Sequence, residues 1–120
     1  MCLLTYFIPR SHGLLATIID FTFSRLETEG CLNFVDLENE DWLFEGDEKV
    51  DIQFRVYRDM RRACRKNWAK FTPKTNVQWL AYLIDKMNIK IKSKKLKNLK
   101  DLIGNKKSAA EALPFIMRSL

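Results

Sequence analysis

Histidine is nearly missing from this chain. His12 is the only one among 120 residues, and cysteine occurs three times, at Cys2, Cys31 and Cys64. No C-x-x-C pair is present, so a Cys/His zinc site with its closely spaced ligands is excluded. An odd number of widely spaced cysteines makes no disulfide framework, and reads as reduced thiols in an intracellular protein, nuclear or cytoplasmic. Long apolar runs are also lacking: none approaches the roughly 20 residues that a spanning helix needs, so no membrane is expected. The apolar start, Met1 to Pro9, has no basic segment before it and no small-residue cleavage site, which argues against a signal peptide.

What is present describes an ordinary globular composition, 47% hydrophobic and 12% aromatic, in a length that makes one domain or a piece of one. The net charge of +6 is less informative than its distribution. Between Asp36 and Asp51 lie eight acids (Asp36, Glu38, Glu40, Asp41, Glu45, Asp47, Glu48, Asp51) with Lys49 the only base. From Arg55 to Lys107 there are 17 Lys and Arg against three acids. An acidic loop therefore precedes a basic half.

Hydrophobic periodicity divides the chain in the same place. Leu14 to Ile19 reads as a buried strand and Cys31 to Leu37 as a second, with Glu27 to Gly30 as the turn between them; the two are expected to pair as a ribbon. From about Asp51 the period becomes helical, with Val50, Phe54, Tyr57, Met60 or Arg61, and Cys64 on one face and arginines opposite. Pro73 predicts a break over 67–73. Thr75-Asn76-Val77-Gln78 has the capping-box pattern, followed by an apolar stripe of Val77, Leu80, Leu83 or Ile84, and Met87. The segment 90–100, KIKSKKLKNLK, carries six lysines and reads as a solvated amphipathic helix. Nuclear import and phosphate contact are its functional alternatives, and direct nucleic-acid binding rests on it alone. Gly104 is a stop signal. Ser108 to Glu111 forms a second capping box, opening a last helix toward Met117 that Pro114 threatens to kink. The fold class expected is α+β, mainly helical, with a short two-stranded ribbon followed by three or four helices.

One residue poses a chemical question. The run Leu14-Leu15-Ala16-Thr17-Ile18-Ile19 leads straight into Asp20, and a carboxylate at the end of a buried strand costs several kcal/mol unless it is paired. Asp20 either caps a turn or holds a cation. A strand ending in Asp-Phe-Gly is how protein kinases bind the magnesium that bridges nucleotide phosphates. Here the triplet is Asp20-Phe21-Thr22.

The triplet belongs to an ordered series: IPRSHGLLATIIDFTFSRLETEG, then ENEDWLFEGDE, IQFRVYRDM, NWAKFTPKTNVQWLAYLIDKM and SAAEAL. In that order these segments resemble the C-terminal part of the kinase domain of haspins, atypical serine/threonine kinases, from about Phe7 onward. The resemblance implies the C-terminal-lobe portion of a protein-kinase-like fold. Residues 13–50 would form the strands, metal-binding turn and acidic loop, and residues 51–120 the helical part. It implies ATP and magnesium as cofactors, with Ile19 under the adenine and Asp20 as metal ligand. It implies that the acidic loop meets a basic core-histone tail, through Glu40 and Asp41, whose threonine is phosphorylated on chromatin in the nucleus, in mitosis. Trp42 stands where the pattern would have an acid, and about two extra residues fall near Lys49-Val50.

Phosphoryl transfer further needs a glycine-rich loop, a strand lysine and a catalytic-loop aspartate. In kinases these precede the Asp20 position, and the 19 residues before it contain no His-x-Asp. No catalytic residue is therefore assigned, and the chain alone is expected to be catalytically incompetent. It would need a missing N-terminal kinase part if it is a fragment. The alternative is a non-enzymatic module, derived from a truncated kinase, that binds chromatin or a basic tail. In either case helix faces normally covered by the rest of a lobe should be exposed.

Overall fold

The computed structural model of the chain describes Gly13, Asp20 and residues 22–119. The expected strand over Leu14–Ile19 and the adenine-facing Ile19 lie outside the described residues. So do His12, Cys2 and Phe21.

Among the described residues a two-stranded ribbon is present, and its first strand takes up part of the segment expected as turn. β1 is Leu26–Thr28 and β2 is Cys31–Asn33, antiparallel, with Leu26 opposite Asn33 and Thr28 opposite Cys31. The turn shrinks to Glu29 and Gly30, both at positive φ (50° and 79°). A two-residue hairpin turn with both centres left-handed matches the strands' twist, and glycine supplies one of them without strain. The second expected strand therefore ends at Asn33 rather than Leu37. Leu37 instead opens a 3-10 turn, Leu37–Asn39, because the Asp36 carboxylate accepts from the Glu38 N–H and closes the chain there.

Helices make up the rest: α1, Trp42–Glu45; α2, Gln53–Cys64; α3, Lys74–Ile91; α4, Lys94–Gly104; and α5, Ala109–Ser119. α2 buries Tyr57, Met60 and Cys64, the i, i+3, i+7 face expected of it. It ends where Arg65 and Lys66 turn left-handed and donate back to the Arg62 and Arg61 carbonyls, a closure of the Schellman type.

The capping box expected at Thr75 does not form. Pro73 already has helical angles and α3 starts at Lys74, as proline in a first turn permits. Thr75 thus lies within the helix, and its hydroxyl donates to the Thr72 carbonyl at 2.8 Å. The stripe is also narrower than expected: Val77 and Ile84 are buried, whereas Leu83 and Met87 are about half exposed. The lysine segment is not one helix. Lys92 is left-handed (φ 51°) and closes α3 onto Asn88, whose side chain also accepts from the Ser93 N–H at 2.7 Å. α4 then begins afresh.

The second capping box does form, slightly shifted. Ser108 Oγ accepts from the Glu111 N–H (3.2 Å), while the Glu111 carboxylate accepts from the Lys107 N–H (2.9 Å). α5 continues through Pro114 to Ser119.

Two apolar clusters hold these elements. Leu37, Leu43, Tyr57 and Met60, flanked by Phe44, Val56, Trp68 and Trp79, join the acidic loop to α2 and α3. Ile84, Leu99, Ile103 and Ala112 join α3 to α4 and α5. α3 contributes to both, so it is the spine of the fold. Leu83, Met87 and Ile91 form an exposed stripe at i, i+4, i+8 along it, in keeping with the expectation of uncovered helix faces. Among the described residues no helix is long and apolar enough to cross a membrane.

Candidate functional site

Asp20 does not lie on a buried floor. It is exposed, and its Oδ1 accepts from both the Thr22 N–H (2.9 Å) and the Thr22 hydroxyl (2.7 Å). The reading of Asp20 as a buried acid is therefore corrected: a short polar turn lets it sit at the surface, where no partner is needed to offset burial. Those two bonds, the backbone one first, hold its carboxyl below the usual carboxylate range, so it is anionic at neutral pH.

Asp20 lies at a cleft of ≈ 830 Å³ whose walls include Phe23, Trp42, Tyr57, Asn76 and Trp79. The rings run in a chain: Trp42 to Phe23 and Phe23 to Tyr57 at 6.4 Å, and Tyr57 to Trp79 at 5.2 Å, the last two pairs edge-to-face. Tyr57 feels the cleft's charge. Burial first, then Tyr82 and Asp20, push its hydroxyl above the usual phenol value, so it stays protonated.

The acidic loop sorts into two groups. Most of its acids serve the fold. Asp36 and Asp47 accept from the N–H groups of Glu38 and Lys49 in tight turns. Glu38 takes Nε and Nη2 of Arg61 and, at 3.1 Å, the Trp68 indole N–H; the Arg61 bond is the main reason its carboxyl is held low. Arg61 in turn stacks on the Phe44 ring at 4.4 Å. Glu48 pairs with Arg58 at 2.6 Å, and that guanidinium also donates to the Phe44 and Gly46 carbonyls. Asp51 accepts from the Gln53 N–H at the start of α2 and from Lys86 of α3 at 2.8 Å, and the Lys86 bond chiefly lowers its carboxyl.

Glu40 and Asp41 are the acids singled out from the sequence for a basic tail. Glu40 accepts the Trp42 indole N–H at 2.8 Å, which ties it to the cleft wall. Asp41 is exposed at the start of α1 and makes no side-chain cap there. The fold thus brings Asp20, Trp42 and Glu40 to one region, and anchors it through Arg58 and Arg61.

Sequence reasoning gave Tyr57 only a helical face; it lines the cleft together with Trp79, which also packs against the first apolar cluster. Trp42 was visible as a departure from pattern, but its role as a wall was not. No local signal marks the Glu38–Arg61 contact, which joins residues far apart in the chain.

Among the described residues no group of three or more His, Cys, Asp or Glu side chains could hold a metal ion by itself. Magnesium bound with a nucleotide needs less, because one or two carboxylates suffice when phosphates and water complete its shell. An exposed, ionised Asp20 at the edge of a cleft fits that donor set.

Comparison with known proteins identifies the family. Residues 9–111 match the family model described as a haspin-like kinase domain. The chain is 36% identical over 118 residues to the serine/threonine-protein kinase haspin homolog of Drosophila melanogaster, covering 88% of this chain and 20% of that protein. It is 45% identical over 84 residues to haspin of Mus musculus, covering 70% and 11%. Against the Arabidopsis thaliana haspin homolog it is 36% identical over 111 residues, covering 87% and 18%. The chain therefore spans about a fifth or less of the length of these relatives.

Proposed function

Since the chain belongs to the haspin-like kinase family, and is the mainly helical, C-terminal-lobe portion of such a kinase fold, we propose that it carries the metal-anchoring turn and the substrate-facing loop of a histone-tail threonine kinase. Residues 13–50 are the part that faces nucleotide and substrate, and 51–120 the helical support. The observation that carries this reading is the Asp20 turn, an ionised carboxylate held at the edge of a cleft that the acidic loop borders.

In this reading Asp20 holds magnesium and Ile19 lies under the adenine. Bound ATP and magnesium supply the transferable phosphoryl group and neutralise its charge. The chain's own residues position the partner. Glu40 and Asp41 attract lysine, arginine or an α-amino group of the tail. The Glu38–Arg61 and Glu48–Arg58 pairs keep the loop in place while it does so. Positioning is most of what catalyses phosphoryl transfer, and it needs a base beside the hydroxyl and a lysine on the phosphates. No residue of this chain is assigned to either role, so the 120 residues alone bind without transferring phosphate.

A second reading, a non-enzymatic module for basic tails, draws support from the loop's anchoring. The Trp42 indole N–H holds Glu40 at 2.8 Å and Phe23 lies beside the Trp42 ring, contacts that the loop makes without a catalytic partner.

The test is to offer the chain a threonine-containing basic histone-tail peptide with labelled ATP and magnesium, and in parallel to titrate the peptide alone. The expected result is no label transfer above that of Asp20→Asn, with salt-sensitive peptide binding that Glu40→Gln/Asp41→Asn weakens. Turnover by the wild-type chain would overturn its incompetence. Binding indifferent to the double substitution would overturn the tail assignment.

A further inference from the structure

The end of α2 carries charge that neither the fold nor the Asp20 cleft uses in full. Arg58, Arg61, Arg62 and Arg65 stand at i, i+3, i+4 and i+7 along one face of that helix and its cap, a spacing at which like charges repel. With Lys66 they enclose a hollow of ≈ 520 Å³ to which no carboxylate and no aromatic ring contributes among the described residues.

The last two cations are placed there at a conformational cost. Arg65 and Lys66 both take positive φ (54° and 61°), the left-handed region for which a helix end normally uses glycine. That turn sets their side chains beside Arg61 and Arg62, while their N–H groups close the Arg62 and Arg61 carbonyls. Three of the five cations have a carboxylate within ion-pair reach: Glu48 for Arg58, Glu38 for Arg61 and Asp59 for Arg62. Arg65 and Lys66 have none among the described residues, which leaves two positive charges unmatched in one hollow.

Two unmatched charges with guanidinium forks around them suit a single compact dianion. A phosphomonoester carries about −1.5 to −2 charge near pH 7 and three acceptor oxygens, and arginine can meet those oxygens bidentately. A carboxylate side chain brings about half that charge. Single-stranded nucleic acid calls for stacking rings, which this wall lacks. A duplex calls for a track of phosphate contacts rather than one hollow. We propose that the arginine face of α2 is a docking site for a phosphoserine or phosphothreonine side chain of a partner protein. None of its lining residues borders the Asp20 cleft, so the site stands independently of the basic-tail reading. Arg58 and Arg61 nevertheless belong to both regions, because the same guanidiniums hold Glu48 and Glu38 of the acidic loop. An occupant of the hollow therefore bears on that loop.

The experiment titrates the 120-residue chain by calorimetry with a short peptide of alanine and glycine, blocked at both ends, that bears one phosphoserine. Comparison peptides carry serine or glutamate at that position. The phosphoserine peptide is expected to bind at least about tenfold more tightly than either, in line with charge-assisted hydrogen bonds. Arg65→Gly/Lys66→Gly should abolish the preference. Glycine suits both φ values, so this variant remains folded, which circular dichroism checks. Lys92→Gly/Lys94→Gln removes two cations outside the hollow, one of them at a similar left-handed position (φ 51°). Distant exposed charges are screened, so this variant should keep the affinity within about twofold. Equal affinity for the three peptides overturns the proposal. Equal losses in the two variants also overturn it, since net charge alone would then account for binding. Full displacement of the peptide by an equal concentration of inorganic phosphate would make this a free-anion site and discard the partner. A short DNA duplex that binds more tightly than the phosphopeptide, and is lost in Arg65→Gly/Lys66→Gly, would make the face a nucleic-acid surface and overturn the peptide assignment.

Discussion

A methyl group added at Gly46 tests how tightly the loop that bears Trp42 is locked to α2. Gly46 follows α1 with φ −60° and ψ 148°, extended backbone that any residue adopts. Substitution by alanine therefore strains nothing locally. A Cβ there would nevertheless lie 2.2, 2.3 and 2.4 Å from Cδ1, Cε1 and Cγ of Phe54. Contact distance between carbons is about 3.5–4.0 Å, so ring or loop must yield by roughly 1 Å or more. Because Cγ is itself among the atoms struck, the ring cannot escape by swinging its far edge alone. Overpacking of this kind costs about 1–3 kcal/mol. Stiffening of the unfolded chain by Gly→Ala offsets about 0.4–1 kcal/mol of that. The net expectation for Gly46→Ala is a loss of roughly 0.5–2 kcal/mol. For a domain of this size each kcal/mol lowers the Tm by about 4 °C. Urea unfolding of the wild type, Gly46→Ala, Phe54→Ala and the double variant measures it. The double variant should lose less than the sum, with a coupling of at least about 0.5 kcal/mol. Because Arg58 binds the Gly46 carbonyl at 3.0 Å, the loop's displacement should also weaken binding of the basic histone-tail peptide. A Gly46→Ala protein as stable as the wild type, or strict additivity with Phe54→Ala, would refute the steric reasoning.

Further outcomes follow from the same contacts. Ile103 is 0% exposed between α3, α4 and α5, so Ile103→Ala should cost about 2–5 kcal/mol, read as a lower urea midpoint, and should loosen α4 and α5 before the acidic loop. Glu38 is held below its ordinary 4.5 chiefly by Arg61. A depressed carboxylate gives stability that is full above its unfolded value and is lost as pH falls through the lower folded one. Thermal melts should therefore fall steeply below about pH 4.5 in the wild type. Glu38→Gln should be less stable at neutral pH, because Arg61 loses its counter-charge, and flatter in acid. An unchanged acid slope would show that the pair does not form in solution.

The helical half was legible in the sequence because its signals are local. Tyr57, Met60 and Cys64 fall on one face whatever surrounds them, and the break before α3 follows from Pro73. Gly104 is the last residue of α4, with Asn105 as its cap, and the Ser108–Glu111 pattern began α5 as its chemistry requires. Where local signals competed, the sequence misled. Thr75 carries a capping pattern, yet Pro73 starts the helix earlier and leaves the threonine inside it. The lysine run looks continuous, yet Asn88 and a left-handed Lys92 break it, because a side-chain acceptor for the Ser93 N–H is as good a partner as another turn of helix. Cys31 to Leu37 has strand-like residues, yet the Asp36 cap turns the chain after β2.

The site divides along the same line. Asp20, Glu40 and Asp41 could be singled out from order and residue type, and the family with them, since an ordered set of motifs is a property of the chain and not of its folding. Which acids are free to meet a ligand was decided only in three dimensions. Glu38, Glu48 and Asp51 look no different from Glu40 in sequence, but arginines and a lysine from α2 and α3 claim them. The exposure of Asp20, and the meeting of Trp42 with Phe23, Tyr57 and Trp79 around it, likewise arise from packing between distant segments. Periodicity and capping act over a few residues and so are written in the chain. Charge pairing and cleft walls depend on which distant surfaces the burial of Leu43, Tyr57 and Met60 brings together, and only the folded structure decides that.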